Sequence, residues 1–562
     1  MRSPRTPRLA VLTAVAVLLG GCSLLGGGDE SRTAPSGSTV RDRLPLADVD
    51  RTSLREVRDG GTLRLTTDTI PANLNPVQVD GLQGDAEALL APTTGGAVRL
   101  DDDGGWRVDR DYARSVEVVD KDPLTVEVRL NPKAVWQGGS PITSRDMVAY
   151  ARTMSGADED FEVGSSDGWD DVDEVERQGD DAYRVVFDEP RSDWPRFVYP
   201  RLPRNVSSDP RLFNDGFTRR AVSSNGPFVV QRVDRRTGTV DLARNPRWWG
   251  DEPRLERIRW RLAAPDVALK ALGAGEVDAA PVTERTAADV PDDDVVVRRS
   301  ASTRFSQLTF NAGRGVLRDL RVRDALALAV DRAAIARAQG RALGVPARTT
   351  DSVLVAPGQP GSATTSATRE AAREPGRLLE ARRVLEEAGW TVGKRTTKDG
   401  KRLRLVLPVP ADDPVVADRA AVVRRSLAKI GAEVTVRTVP ADRYYSSVLL
   451  PLDFDLVLLT WNASPLGVGP AEGRFRPVDS PINFTGITSG RPDAWEKAVR
   501  ELDLRRRIAA TTRLEVRWLL GAKVAVPLVG QPRVVAVSTR VANYGVRAAA
   551  PLDWTRVGLR RD

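Results

Sequence analysis

The sequence predicts an α/β protein made of two architecturally different regions and an insertion. Three observations carry this. The chain has 562 residues and a mass of 61.1 kDa, more than one ordinary hydrophobic core accommodates. Its first half is rich in β-hairpin signals, with short alternating apolar runs around turn residues. Its second half changes rhythm to strands separated by amphipathic helices, the mark of a mixed or parallel sheet with helices packed on it.

In chain order, Gly60-Gly61 leads into an alternating strand over 62–66. Segments 115–120 and 124–130 flank Lys121-Asp122-Pro123 as a hairpin, and 228–233 and 239–244 form another around Arg235-Arg236-Thr237-Gly238. Thr143 stands as N-cap to an apolar helix. A strand over 258–262 precedes a short helix, 266–272, ended by Gly273. In the second half, 306–310 is a strand. From 320 to about 338, apolar Val322, Leu326, Ala329 and Val330 predict one continuous helix. Helices 378–388 and 418–430 close on Gly389 and Gly431, between strands 403–407, 434–439 and 454–460.

Composition excludes several function classes. The chain has no His, which removes the commonest general base, the commonest metal ligand and every Ser-His or Cys-His pair. The single Cys, Cys22, leaves no disulfide and no thiolate metal site. The formal charge of +7 includes Arg2, Arg5 and Arg8 in a segment that reads as a leader, and acidic clusters interleave with the arginines. No basic stripe marks a nucleic-acid partner. Gly164-Ser165-Ser166-Asp167-Gly168 fits a hydrolase pattern but follows an acidic stretch, not a buried strand, and no His serves Ser166. Asp170, Asp171, Asp173 and Glu174 lack the spacing of a calcium loop and read as a solvated face. The expectation is therefore no catalytic residue, no metal and no cofactor.

The N-terminus reads as an address. Three arginines precede an apolar stretch from Leu9 to about Leu19, too short to span a bilayer and suited to a secretory leader. Leu19-Gly20-Gly21-Cys22 resembles a bacterial lipobox, which implies that Cys22 is lipidated and anchors the chain to the extracytoplasmic face of the cell membrane. Residues 23–58, rich in Gly, Ser, Arg and Asp, read as a flexible tether.

Several segments then match one family in order. In 123–154, Leu130, Val135, Trp136, Gly139, Pro141, Thr143, Asp146 and Val148 occupy the positions of a pattern seen in family 5 extracellular solute-binding proteins. Asn225 to Gly250, with its Gly-Pro and Trp248-Trp249, resembles a second segment, and Leu272 to Ala280 a third. Asn311, Asp319, Arg321, Val322, Arg323, Ala325, Asp331 and Arg332 match a fourth, and Asn73-Leu74-Asn75-Pro76 resembles an early one. The resemblance implies a periplasmic-binding-protein type II-like fold: a two-lobed hinged clamp with an extra domain inserted in the first lobe. Mapped onto this chain, lobe one is 59–95, 215–300 and 526–562, the inserted domain 96–214, and lobe two 301–525. It also implies a monomer that holds a small-molecule or peptide-like ligand between its lobes and works with the permease and ATPase subunits of an ABC importer.

The same resemblance points to a site. In peptide-binding members the strand corresponding to 454–460 ends in a Trp, followed three residues later by an Asp that pairs with the peptide's α-amino group. Here Trp461 is present but the Asp position is Ser464, in an uncharged loop, Asn462 to Gly469. A buried ammonium without a carboxylate is costly, and Asp453 and Asp455 precede the apolar run, at the strand's far end. Trp461, Asn462 and Ser464 thus suit a polar or glycosylated ligand. Asn311 and Asn75 complete the expected ligand-binding set, while Trp136 and Trp248-Trp249 read as packing. A rival reading comes from 531–546, which resembles lipoproteins of this fold that act as carriers or regulators in envelope glycolipid assembly rather than in import.

Overall fold

The computed structural model describes residues 43–82, 86–362 and 374–561; Cys22, the leader and residues 23–42 lie outside them. In the first region, β1 (Thr62–Thr67) places Leu63 and Leu65 inside by simple alternation. The expected hairpin β2 (Ala113–Lys121) and β3 (Leu124–Leu130) forms. Helix α1 (Ser144–Met154) begins where the sequence places it, the Thr143 N–H donating to Asp146 Oδ2 at 2.8 Å. Strands β4 (Val172–Arg177) and β5 (Ala182–Phe187) complete an antiparallel sheet of order β2-β3-β5-β4. Next come β6 (Phe228–Asp234), β7 (Thr239–Arg244) and β8 (Arg257–Leu262), with β8 parallel to β1 in a sheet of order β6-β7-β8-β1. One apolar core runs through both sheets. Trp136 is buried in that core, and Trp248 and Trp249 pack against Tyr112, as read from the sequence. Helix α2 (Pro265–Gly273) extends through Gly273; the left-handed residue after it is Gly275.

Strands β9 (Ala279–Pro281) and β10 (Val295–Ser300) finish the first region, and the chain enters the second through β11 (Arg304–Phe310). The expected single helix over 320–338 is two, α3 (Leu320–Ala329) and α4 (Arg332–Leu343). The break has a local cause: the Asp331 carboxylate accepts from Ala334 N–H at 2.8 Å and starts a new helix. Then follow α5 (Glu374–Glu387), β12 (Arg404–Pro410), α6 (Pro414–Ala428) and β13 (Glu433–Val439), with β12 and β13 parallel as the β-α-β rhythm requires. Strand β14 (Leu456–Asn462), helices α7 (Pro492–Arg500) and α8 (Leu504–Leu514), and β15 (Ala525–Gly530) complete the region; β11 is the middle strand of a sheet of order β14-β11-β15. A second core lies between this sheet, the β12-β13 pair and the helices.

The chain returns through β16 (Arg533–Ser538), the middle strand between β9 and β10. Two boundaries drawn from the sequence change. Residues 526–530 belong to the second region's sheet, because β15 pairs with β11 and the return falls at Gln531-Pro532. Residues 43–58 are not tether. Ala47–Val49 pairs with Gly545–Arg547, Val57–Arg58 pairs with Gly558–Arg560, and Val57 is fully buried. Asp50 accepts from Arg560 Nη2 at 2.8 Å and from Asn543 N–H at 3.0 Å. The partners of these short strands come from the C-terminus, so local periodicity carries no trace of them.

A chain beginning at residue 59 loses the buried Val57 and the Asp50 pairs and should melt at least about 5 °C lower by calorimetry than one beginning at residue 43. Equal melting of the two would restore the tether reading.

Candidate functional site

Trp461 sits near the end of β14, directly opposite Phe305 on β11. An opposed pair on neighbouring strands shares a face, so the two rings meet, with Ala356 and Ala463 closing a small cluster around them. Trp461 is half-buried and stacks on Phe484, centroids 6.0 Å apart and planes 21° apart. Its indole Nε1 is buried without a hydrogen-bond partner.

The loop after it is pinned at its start. Ala463 N–H donates to Thr303 O at 2.8 Å, and Ser464 Oγ accepts from Leu466 N–H at 3.2 Å. Asn462 is exposed, its Oδ1 accepting from Thr303 Oγ1 at 3.3 Å. Trp461, Asn462 and Ser464 are therefore together.

The other two expected residues are not with them. Asn311 ends β11 at the opposite end, six residues from Phe305, about 20 Å along an extended strand. Its amide is committed to Leu452 O at 3.0 Å and Phe454 O at 3.2 Å. It holds a turn there, beside Asp453 and Asp455, which Arg314 bridges. Hydrogen bonds from Arg437 and Arg314 hold the Asp453 carboxyl low, while burial raises that of Asp455. Asn75 is fully buried in the first region, donating to Phe213 O at 3.0 Å and accepting from Val77 N–H at 3.3 Å. Both amides do the work of backbone anchors, a role that a sequence position alone does not distinguish from ligand contact.

The structure adds a residue that sequence reading passed over. Arg474, thirteen positions after Trp461, folds back so that its guanidinium lies 4.8 Å from the Trp461 ring centroid and 6.0 Å from that of Phe305. It is only 4% exposed, and its Nη2 donates to Asn462 O at 2.7 Å. Burial pushes its pKa down to about 10.

Nearby segments of the second region meet the first region. Gln359 Nε2 donates to Asp102 O at 2.8 Å, Ser192 N–H donates to Val499 O at 2.8 Å, and Arg500 pairs with Glu189 at 3.2 Å. Gly104, with φ at +86°, lies so close that a Cβ there would be 2.7 Å from Pro465 O. Fully buried Asp193, held by Arg191 at 2.8 Å and Arg196 at 2.9 Å, stiffens the facing segment. On the near side, the turn leading to Ala356 hangs on Glu515, whose carboxylate accepts from Ser352 Oγ at 2.8 Å and from the N–H groups of Val353 and Leu354. An aromatic wall with one buried cation thus lies on a seam between two regions, beside the points where the chain passes from one to the other.

The chain matches, over residues 107–470, the model of the bacterial extracellular solute-binding proteins, family 5 Middle. It is a family 5 solute-binding protein. Its family 5 relatives include the oligopeptide-binding protein OppA of Mycobacterium tuberculosis and Mycobacterium bovis, 31% identical over 573 aligned residues that cover 98% of this chain and 94% of the relative. A probable monoacyl phosphatidylinositol tetramannoside-binding protein, LpqW of M. tuberculosis, is 25% identical over 376 residues, 61% of this chain and 58% of that one. Among solved structures, the periplasmic EDTA-binding protein EppA superposes with a TM-score of 0.82 at 21% identity, covering 93% of this chain and all of that one. The oligopeptide-binding protein AppA of Bacillus subtilis, in complex with a nonapeptide, gives 0.72 at 17%, covering 90% and 100%. The family 5 chain therefore has the two-lobed type II-like binding-protein fold, and its family is one of extracytoplasmic binding proteins, not enzymes. Among the described residues no helix is long and apolar enough to cross a membrane.

Two outcomes follow from this geometry. Gly104→Ala combines a strained φ with a clash against the Pro465 carbonyl, so it should hold the seam open. Small-angle scattering should show a larger radius of gyration, and ligand affinity should fall about tenfold; an unchanged radius would mean that the seam tolerates the methyl. Burial pushes the Glu515 carboxyl from its ordinary 4.5 up to about 7. The folded chain then keeps a proton that the unfolded chain loses between those values, so stability falls as pH rises through that window and is flat outside it. Glu515→Gln keeps an acceptor and removes the titration. Its melting temperature relative to the parent should rise between pH 4.5 and pH 7.5; a constant difference counts against the assignment.

Proposed function

We propose that this chain captures a peptide-like or polar, glycosylated solute between its lobes, with Trp461 as the aromatic wall, and passes it to the permease and ATPase subunits of an ABC importer. A lipid on Cys22 would hold it to the extracytoplasmic face of the membrane, as a monomer. The observation that carries this reading is the placement of Trp461: half-buried at a strand end, on the seam, with its indole N–H unpartnered. The relationship to OppA over nearly the whole of both chains supports a peptide-like solute.

A free peptide amine at this wall is disfavoured. Ser464 supplies no carboxylate, and the charged group lying over the Trp461 ring is the Arg474 cation, which repels an ammonium. The second reading, a carrier or regulator in envelope glycolipid assembly, is favoured by one observation, the similarity to LpqW over about three-fifths of each chain.

Native mass spectrometry of the mature chain purified from its own host is expected to release peptide-sized ligands. Recovery of glycolipid masses alone would decide for the second reading. Trp461→Ala should weaken binding of the recovered ligand at least tenfold while lowering the melting temperature by only about 2–5 °C, since the ring is half-buried. A collapse in stability would make Trp461 a core residue and remove it from the site.

A further inference from the structure

Four arginines among the described residues are buried: Arg191, Arg323, Arg419 and Arg474. Arg191 bonds Asp171 and Asp193. Arg419 bonds Glu284. Arg323 has no carboxylate but saturates its guanidinium on the carbonyls of Leu317, Arg318 and Ala522. Arg474 has one carbonyl, Asn462 O, and its Nη1 is buried with no partner. Burial alone acts on its ionisation; no carboxylate offsets it.

A guanidinium carries five N–H donors and stays charged. A buried charge without a carboxylate partner is costly unless something in the working state completes it. The neighbouring unsatisfied atom is also a donor, the Nε1 of Trp461. Two donors without acceptors, on residues stacked at 4.8 Å, call for a ligand that brings oxygen lone pairs and negative charge. The Asn462 to Gly469 loop gives Arg474 one carbonyl but no negative charge, because it has no acidic side chain and Ser464 stands where peptide-binding relatives are expected to hold Asp.

We propose that the solute presents a carboxylate to Arg474, with Trp461 as its flank. This rests on the reading of the seam as the solute site. The charge preference at the Trp461 wall is thereby inverted relative to an amine-binding pattern: a peptide lies with its C-terminal end, or an acidic side chain, at this wall. A carboxylate fits better than a phosphate dianion, because among the described residues Arg474 is the one cation stacked on the Trp461 ring and its planar fork matches two carboxylate oxygens.

The test uses the mature chain and calorimetric titration with N-acetylated alanine peptides of three to five residues, carrying either a free C-terminal carboxylate or a C-terminal amide. A third arm uses myo-inositol 1-phosphate. The carboxylate series is expected to bind at least tenfold tighter than the amides. Arg474→Gln should erase that difference, and Arg474→Lys should keep part of it. Ligand-free Arg474→Met should melt no lower than the parent, since it removes an uncompensated charge; a strut role predicts a clear fall. Inositol phosphate binding that depends on Arg474, with no peptide binding, would replace the carboxylate by a phosphate and overturn the peptide reading as well. Equal binding of acid and amide, discrimination that survives Arg474→Gln, or no binding of any probe at millimolar concentration would overturn the proposal while leaving the peptide reading to the native mass measurement.

Discussion

The structure depends on a two-stranded ribbon that runs through both regions. In the first, β10 and β16 pair antiparallel up to Ser300 opposite Arg533; in the second, β11 and β15 pair from Phe305 opposite Gly530. The two passages between them, 301–303 and 531–532, are tied to each other. Ser302 Oγ donates to Gln531 O, and Gln531 N–H donates to Arg304 O at 2.8 Å. Each strand of the ribbon is central or paired in its own sheet, so the ladder anchors each core to the same short joint. A relative motion of the regions has to be absorbed in these few residues, the usual arrangement for hinge closure around a ligand.

The site inherits its position from that joint. Trp461 faces Phe305, the second residue of β11, and Ala463 bonds Thr303 inside the passage itself. The wall and the start of its loop therefore stay fixed to the joint, while the middle of the loop, around Pro465 and Gly467, meets Gly104 and Ser192 from the other region.

Charge placement separates the structural ion pairs from the candidate site. Asp278, fully buried, takes Arg64 and Arg540 from distant segments, while Asp193 takes Arg191 and Arg196 from its own. Arg474 is incomplete within the protein. Read along the chain, the loop after Trp461 is neutral for many residues; read in space, it has a cation beneath it. The partner of that cation in the loop is the Asn462 carbonyl, not an acid.

The sequence by itself determined the class, the hairpins at 115–130 and 228–244, the strand–helix–strand rhythm over 403–439, the helix cap at Thr143, and the strand ending in Trp461. All of these rest on local periodicity, turn chemistry or motif order. It also brought Trp461, Asn462 and Ser464 together, since they are neighbours in the chain. Only the tertiary structure decided that Asn311 and Asn75 spend their amides on backbone carbonyls, that 43–58 is pinned by the C-terminus, and that 526–530 belongs to the second region. It alone placed Arg474 under Trp461. The physical reason is the same in each case. Hydrogen-bond partners and desolvation are set by segments tens to hundreds of residues away, and an Asn or Arg reads identically in sequence whether folding completes its bonds or leaves them open for a ligand.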